Sequence, residues 1–116
     1  SELVACKALF HLTFYNNALN GTLPESIGEL SDLEEIDMQN NRLTGTIPDS
    51  YGGLRSLKNF FVYDNFLSGT IPNGLTKISS MEHIQLWKNF LTGTIPEFAV
   101  SAAVRDINFL ANSFEG

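Results

Sequence analysis

All four prolines of the chain, Pro24, Pro48, Pro72 and Pro96, stand 24 residues apart, and each closes a copy of one segment: N-G-T-L-P, T-G-T-I-P, S-G-T-I-P and T-G-T-I-P. A fixed period of this length is the signature of stacked structural repeats and constrains the fold more than any single residue does. The apolar positions keep the same phase. Leu33, Ile36, Met38, Leu43 and Ile47 are answered by Leu57, Phe60, Val62, Leu67 and Ile71. Leu9, Leu12, Phe14, Leu19 and Leu23 come one period earlier, and Met81, Ile84, Leu86, Leu91 and Ile95 one period later. A fifth copy, Val104, Ile107, Phe109 and Phe114, arrives one residue early, so the coil after Pro96 is shortened near Glu97-Phe98. Asn17, Asn41, Asn65, Asn89 and Asn112 form a polar ladder in step with these rows.

Each column has a physical reading. The alternation Leu33-x-x-Ile36-x-Met38 predicts a strand with Ile36 and Met38 inward and Asp37 outward. Successive copies then pair as parallel strands about 4.8 Å apart. The ladder asparagines follow the strand where the chain turns, and an inward amide can satisfy turn N–H and C=O groups that would otherwise be buried unpaired. Gly21, Gly45, Gly69 and Gly93 permit close backbone approach, and the Leu-x-Gly-x-Ile alternation predicts a second short strand. Proline ends that strand and opens a helical turn such as Pro48-Asp49-Ser50-Tyr51, its fixed φ suiting a first helical position. One coil buries little, whereas stacked coils share a continuous core.

The full pattern, L-x-x-L-x-L-x-x-N-x-L-x-G-x-I-P, resembles the leucine-rich repeat in its plant-type subclass, and the resemblance covers nearly the whole chain. It implies an α/β solenoid: a right-handed leucine-rich-repeat superhelix of 24-residue coils, with a parallel β-sheet on the concave face and short 3-10 or helical turns on the convex face. Residues 1–116 read as one segment, with a partial coil 1–8, coils 9–32, 33–56, 57–80 and 81–103, and a partial coil 104–116. Both ends fall partway through a coil and lack the paired-cysteine caps of secreted relatives. The expectation is an internal window of a longer protein, with further coils or caps at both ends.

Composition narrows the function. A chain of 116 residues, 43% hydrophobic, suffices for one core. Thirteen acidic against seven basic residues give a net charge of -6 with no Lys/Arg cluster, which argues against nucleic acid as a partner. Apolar runs fall far short of the roughly 20 residues of a membrane span, and the start has no targeting pattern, so this segment is expected to make no membrane contact. Cys6, the single cysteine, cannot form an internal disulfide and falls on an inward position, as a small apolar group of the core.

The positions between inward residues form the exposed strand face. Its first column is His11, Glu35, Asn59, His83 and Asp106; its second Thr13, Asp37, Phe61, Gln85 and Asn108. Its third is Tyr15, Gln39, Tyr63, Trp87 and Leu110; its fourth Asn16, Asn40, Asp64, Lys88 and Ala111. Tyr15, Tyr63 and Trp87, with Phe61 beside them, put large rings where core packing does not call for them, and clustered rings with polar handles are typical binding anchors. The candidate ligand-binding residues are therefore His11, Tyr15, Glu35, Asp37, Gln39, Phe61, Tyr63, Asp64, His83, Gln85, Trp87 and Lys88. Glu35, Asp37 and Asp64 favour a basic or amide-rich partner.

Catalysis is not expected. Glu35 and Asp37 stand about 6.8 Å apart along one strand, within the range of paired glycosidase carboxylates, but a general acid needs a desolvated cleft and these read as lying on an open, solvated face. His11 and His83 are three coils apart, about 14 Å, too far to share a metal ion. No metal or cofactor is expected.

A second outward surface flanks the glycines. Asn20 and Thr22, Thr44 and Thr46, Ser68 and Thr70, and Thr92 and Thr94 would form a hydroxyl grid about 4.8 Å between coils and about 6.8 Å within each strand. The grid resembles the T-x-T arrays of ice-binding solenoids. Asn20-Gly21-Thr22 is also the one N-glycosylation sequon, which would place the chain in the secretory route.

The family resemblance, to ectodomains of plant-type receptor kinases and receptor-like proteins and to polygalacturonase inhibitors, implies non-catalytic recognition on the strand face and an extracellular or cell-surface location. The implied partner is a protein or peptide, or a polysaccharide. Two alternatives stand beside it: a structural subunit docked in a larger assembly, and ice binding through Thr22, Thr44, Thr46, Ser68, Thr70, Thr92 and Thr94.

Overall fold

The computed structural model describes residues 10–14, 18, 20–94, 106–108 and 112–113. The main sheet is built from β1 (His11–Thr13), β3 (Glu35–Asp37), β5 (Asn59–Phe61), β7 (His83–Gln85) and β9 (Asp106–Asn108), in that spatial order and all parallel. Leu12, Ile36, Phe60, Ile84 and Ile107 are direct lateral partners. The step from Ile84 to Ile107 is 23 residues where earlier steps are 24, in agreement with the early fifth copy. The short second strands are β2 (Asn20–Thr22), β4 (Arg42–Thr44), β6 (Ser68–Gly69) and β8 (Phe90–Leu91). They pair β2 with β4 and β6 with β8.

The remaining side of each coil is a 3-10 turn, at Glu25–Glu29, Asp49–Gly53 and Leu75–Lys77. Pro24 and Pro48 precede the first two in extended conformation, so proline stands at the cap rather than inside the turn. Its carbonyl takes the first turn hydrogen bond, from Ile27 or Tyr51, as that of Pro72 does from Leu75. The turns pack very closely. A Cβ at Gly28 would lie 2.4 Å from the Ser50 carbonyl oxygen, so only glycine fits there.

The core runs the length of the stack. Leu33, Ile36, Leu57, Phe60, Val62, Leu67, Ile84, Leu86 and Leu91 are all 0% exposed. Phe14 differs from the inward position expected of it and is 42% exposed, because it lies on the outermost described coil, where its one described strand neighbour is on a single side. Tyr51 is 0% exposed, in the column of Ile27 and Leu75. Its hydroxyl donates to the Pro24 carbonyl at 3.0 Å, and burial pushes the phenol well above its ordinary pKa. Cys6, Leu9, Asn17, Leu19, Ile95 and Phe109 lie outside the described residues.

The asparagine ladder welds the coils together. Asn65 Nδ2 donates to the carbonyls of Met38 and Val62, both at 3.0 Å, while its Oδ1 accepts from Leu43 N–H at 3.0 Å. Asn89 repeats this one coil on, with Val62, Leu86 and Leu67 as partners.

The same bonds explain how the second strands depart from the expected grid. Partners there are 22 residues apart, Asn20 with Arg42 and Thr22 with Thr44, instead of 24. Leu43 gives its N–H to the Asn65 side chain and takes a bond from Phe66 N–H, so it faces the Asn65-Phe66 turn rather than Leu67. A side chain thus enters the ladder and slides each second strand by two residues. Because the hydroxyl residues also alternate by two, Thr22 still meets a threonine, now Thr44, but Ser68 meets Phe90 where the expected grid had Thr92, so the grid is oblique and interrupted. The stagger also brings Thr46 Cγ2 over Gly69, whose φ is +77°, and the contact recurs for Thr22 on Gly45 and Thr70 on Gly93.

Candidate functional site

The strand face owes its shape to the register. Pairing of Asp37 with Phe61 and of Phe61 with Gln85 places these three in one row. Backbone bonds carry the alignment past the strand ends, from Asn40 N–H to Tyr63 O at 3.1 Å and from Asp64 N–H to Trp87 O at 3.0 Å. Gln39, Tyr63 and Trp87 therefore form the adjacent row. After them the chain reverses through left-handed residues, Asn40, Asp64 and Lys88, with φ of 58°, 57° and 60°. Asparagine and aspartate accept this conformation readily, whereas a lysine there is strained.

Tyr63 and Trp87 are stacked, their ring centroids 4.3 Å apart and planes 15° from parallel. Both rings are partly exposed. The indole N–H of Trp87 donates to Gln85 Oε1 at 3.0 Å, which fixes the ring's orientation. Asp37, Gln39, Phe61, Tyr63, Gln85 and Trp87 together line a shallow depression of about 370 Å³. Three rings interleaved with carboxylate and amide groups make a surface able to anchor a partner's side chain.

Asp37 is less solvated than an open face would leave it. Burial first, and the nearby Glu35 charge second, raise its carboxyl above the usual carboxylate pKa. Its Oδ1 and the Oε1 of Gln39 are both shielded from solvent and accept no hydrogen bond. Tyr63 is likewise raised, by burial and then by the charges of Asp37 and Asp64.

Other expected site residues lie around this depression. Glu35 Oε2 is 3.7 Å from His11 Nδ1, and Asp64 Oδ1 is 3.6 Å from Lys88 Nζ. His83 stands beside Asn59 on the first row, away from the ring pair. Tyr15 lies outside the described residues. Among the described residues, no group of three His, Cys, Asp or Glu could hold a metal ion, and no helix is long and apolar enough to cross a membrane.

One exposed feature escaped the reading by columns. Phe66 and Phe90, 48% and 58% exposed, stack at 5.9 Å, Phe66 ahead of β6 and Phe90 opening β8. The signal was present, since each follows a ladder asparagine, but Ala18 and Arg42 in the same column hid it.

The comparisons with known proteins point the same way. The family profile described as Leucine Rich Repeat matches residues 8–30 and 32–54. No curated protein matches the chain significantly. Among solved structures, PEPR1-AtPEP1 superposes with a TM-score of 0.93 at 32% identity, over 98% of this chain and 16% of that one. The Arabidopsis receptor kinase HAESA, in complex with the peptide hormone IDA and the co-receptor SERK1, gives 0.90 at 31% identity, over 97% of this chain and 19% of that one. A plant ice-binding protein gives 0.88 at 30% identity, over 97% of this chain and 37% of that one. The chain thus spans less than a fifth of the two receptor chains it resembles. Its 24-residue clock, asparagine ladder and in-register parallel sheet, together with these matches, show a leucine-rich-repeat solenoid similar to plant receptor-kinase ectodomains.

Proposed function

We propose that this chain is a non-catalytic recognition module that binds a protein or peptide on its strand face, with Asp37, Gln39, Phe61, Tyr63, Gln85 and Trp87 at the centre. The observation that carries this reading is the parallel Tyr63–Trp87 stack, partly exposed and pinned by Gln85 over a depression. Two aromatic rings held rigidly at a surface lose little entropy on binding and offer a large contact area, which is how binding hot spots work. Relatives solved with a peptide hormone and a co-receptor support the partner class and a location at the cell surface. Glu35, Asp64, His11, His83 and Lys88 form the rim, and a polysaccharide is a further candidate ligand. In the same reading the exposed Asn20 carries an N-glycan.

The test is an affinity capture from extracts of the source organism, with wild type and a Tyr63→Ala/Trp87→Ala variant whose fold is checked by circular dichroism. Partners retained by the wild type and lost by the folded variant support the site. A partner set unchanged by the two substitutions refutes it.

A second reading is favoured by the likeness to a plant ice-binding protein and by the exposure of Thr22, Thr44, Thr46, Thr70, Thr92 and Thr94, with Ser68 half-buried among them. Ice-recrystallisation inhibition that disappears on Thr46→Tyr/Thr70→Tyr would establish it, and its absence in the wild type would remove it.

A further inference from the structure

The depression at Tyr63 and Trp87 holds two acceptor oxygens that no donor of the chain reaches. Asp37 Oδ1 and Gln39 Oε1 are shielded and unpaired, and Gln85 Oε1 is already taken by the Trp87 indole. None of its six lining residues is a cation. Beside it, the Lys88 ammonium is directed toward Asp64 and the His11 imidazole toward Glu35. What remains is a carboxylate partly stripped of water, an orphaned amide oxygen next to it, and a stacked pair of rings.

Resting on the recognition reading above, we propose that this depression receives a planar guanidinium, the arginine side chain of a peptide or protein partner. Its N–H donors pair with Asp37 and Gln39 while its flat face lies against the Tyr63–Trp87 rings. A carboxylate that has lost hydration without gaining a donor binds an incoming cation more strongly than a hydrated surface carboxylate does. The raised proton affinity of Asp37 expresses the same demand for positive charge. Guanidinium suits the site better than ammonium, because it is weakly hydrated, carries a fork of donors and stacks on aromatic faces. The net charge of -6 draws such a partner in. Since both oxygens are shielded, entry requires lining side chains other than the stacked pair to shift, a rotamer change that leaves the Tyr63–Trp87 platform in place. Trp87, the single tryptophan, reports it by fluorescence.

The experiment selects a random peptide library displayed on phage against the folded chain, then synthesises the winners with arginine, lysine or neutral citrulline at each basic position. The expected result is enrichment of arginine, a loss of about tenfold or more in affinity on exchange for citrulline, and a smaller loss for lysine. Asp37→Asn should weaken the arginine peptide to the level of the citrulline one. Winners without a basic residue, or equal affinity for citrulline or lysine, overturn the guanidinium inference; if those winners still need Tyr63 and Trp87, the recognition reading survives. No winners, or winners indifferent to Tyr63→Ala/Trp87→Ala, overturn both.

Discussion

Replacing Asn65 by alanine should do more damage than its size suggests. The side chain is 5% exposed and makes three good hydrogen bonds, to Met38 O, Val62 O and Leu43 N, each at 3.0 Å. Two of these partners, Met38 and Leu43, belong to the previous coil. Water cannot readily reach the site, so alanine removes three bonds and strands buried backbone groups. At roughly 1 kcal/mol for each bond and 1–3 kcal/mol for a buried group left unpaired, the cost is about 3–6 kcal/mol. That is a large part of the ~5–15 kcal/mol that stabilises a domain of this size. With a urea slope of about 2 kcal/mol per molar, the unfolding midpoint should fall by roughly 2 M. Trp87 fluorescence and far-ultraviolet circular dichroism should both be followed. In a stack held by nearest-neighbour contacts, cutting one interface should pull the two curves apart, with Trp87, on the coil beyond the cut, reporting its own transition. A loss below about 1 kcal/mol, with coincident curves, would mean that water or a shifted backbone replaces the amide, and the account of the ladder would fail.

Gly69→Ala should cost about 1–2 kcal/mol from its positive φ, and more because the new Cβ would lie 2.7 Å from Thr46 Cγ2; adding Thr46→Ser should recover the steric part alone, measured by chemical denaturation. Tyr51→Phe should lose about 1 kcal/mol or less, because the Pro24 carbonyl it leaves also accepts from Ile27; a loss above about 2 kcal/mol would contradict this. Asp37→Asn should raise the melting temperature at pH 7. The folded-state pKa of Asp37 lies above its unfolded value, so its contribution is fully favourable below the ordinary carboxylate pKa of about 3.9 and is lost as pH rises through the raised value. The advantage of the variant should therefore vanish near pH 3, and a lower melting temperature at pH 7 would count against the burial argument.

The main sheet could be read from the sequence because every column repeats, so Ile36, Phe60 and Ile84 each vouch for the others. The row Gln39, Tyr63 and Trp87 followed from the same phase. The two-residue slide of the second strands could not be read, because it arises from an asparagine side chain entering a backbone ladder, and a 24-residue period is compatible with either alignment. Tyr51 shares a column with Ile27 and Leu75, but that pattern does not account for its hydroxyl; only the structure supplies the Pro24 carbonyl that lets it be buried. The desolvation of Asp37 depends on how its neighbours pack around it in the folded sheet, which no pattern of residue types encodes.

The pitch of the main sheet sets a ruler for anything laid along it. Successive strands advance about 4.8 Å, so two coils measure about 9.6 Å. One turn of a polyproline-II helix, three residues, measures about 9.3 Å, whereas same-side residues of a β-strand repeat about every 6.8 Å. A partner running along the stack in the polyproline-II form would present every third side chain to equivalent places on alternate coils, Gln39 and then Trp87, and a strand would fall out of step within two coils.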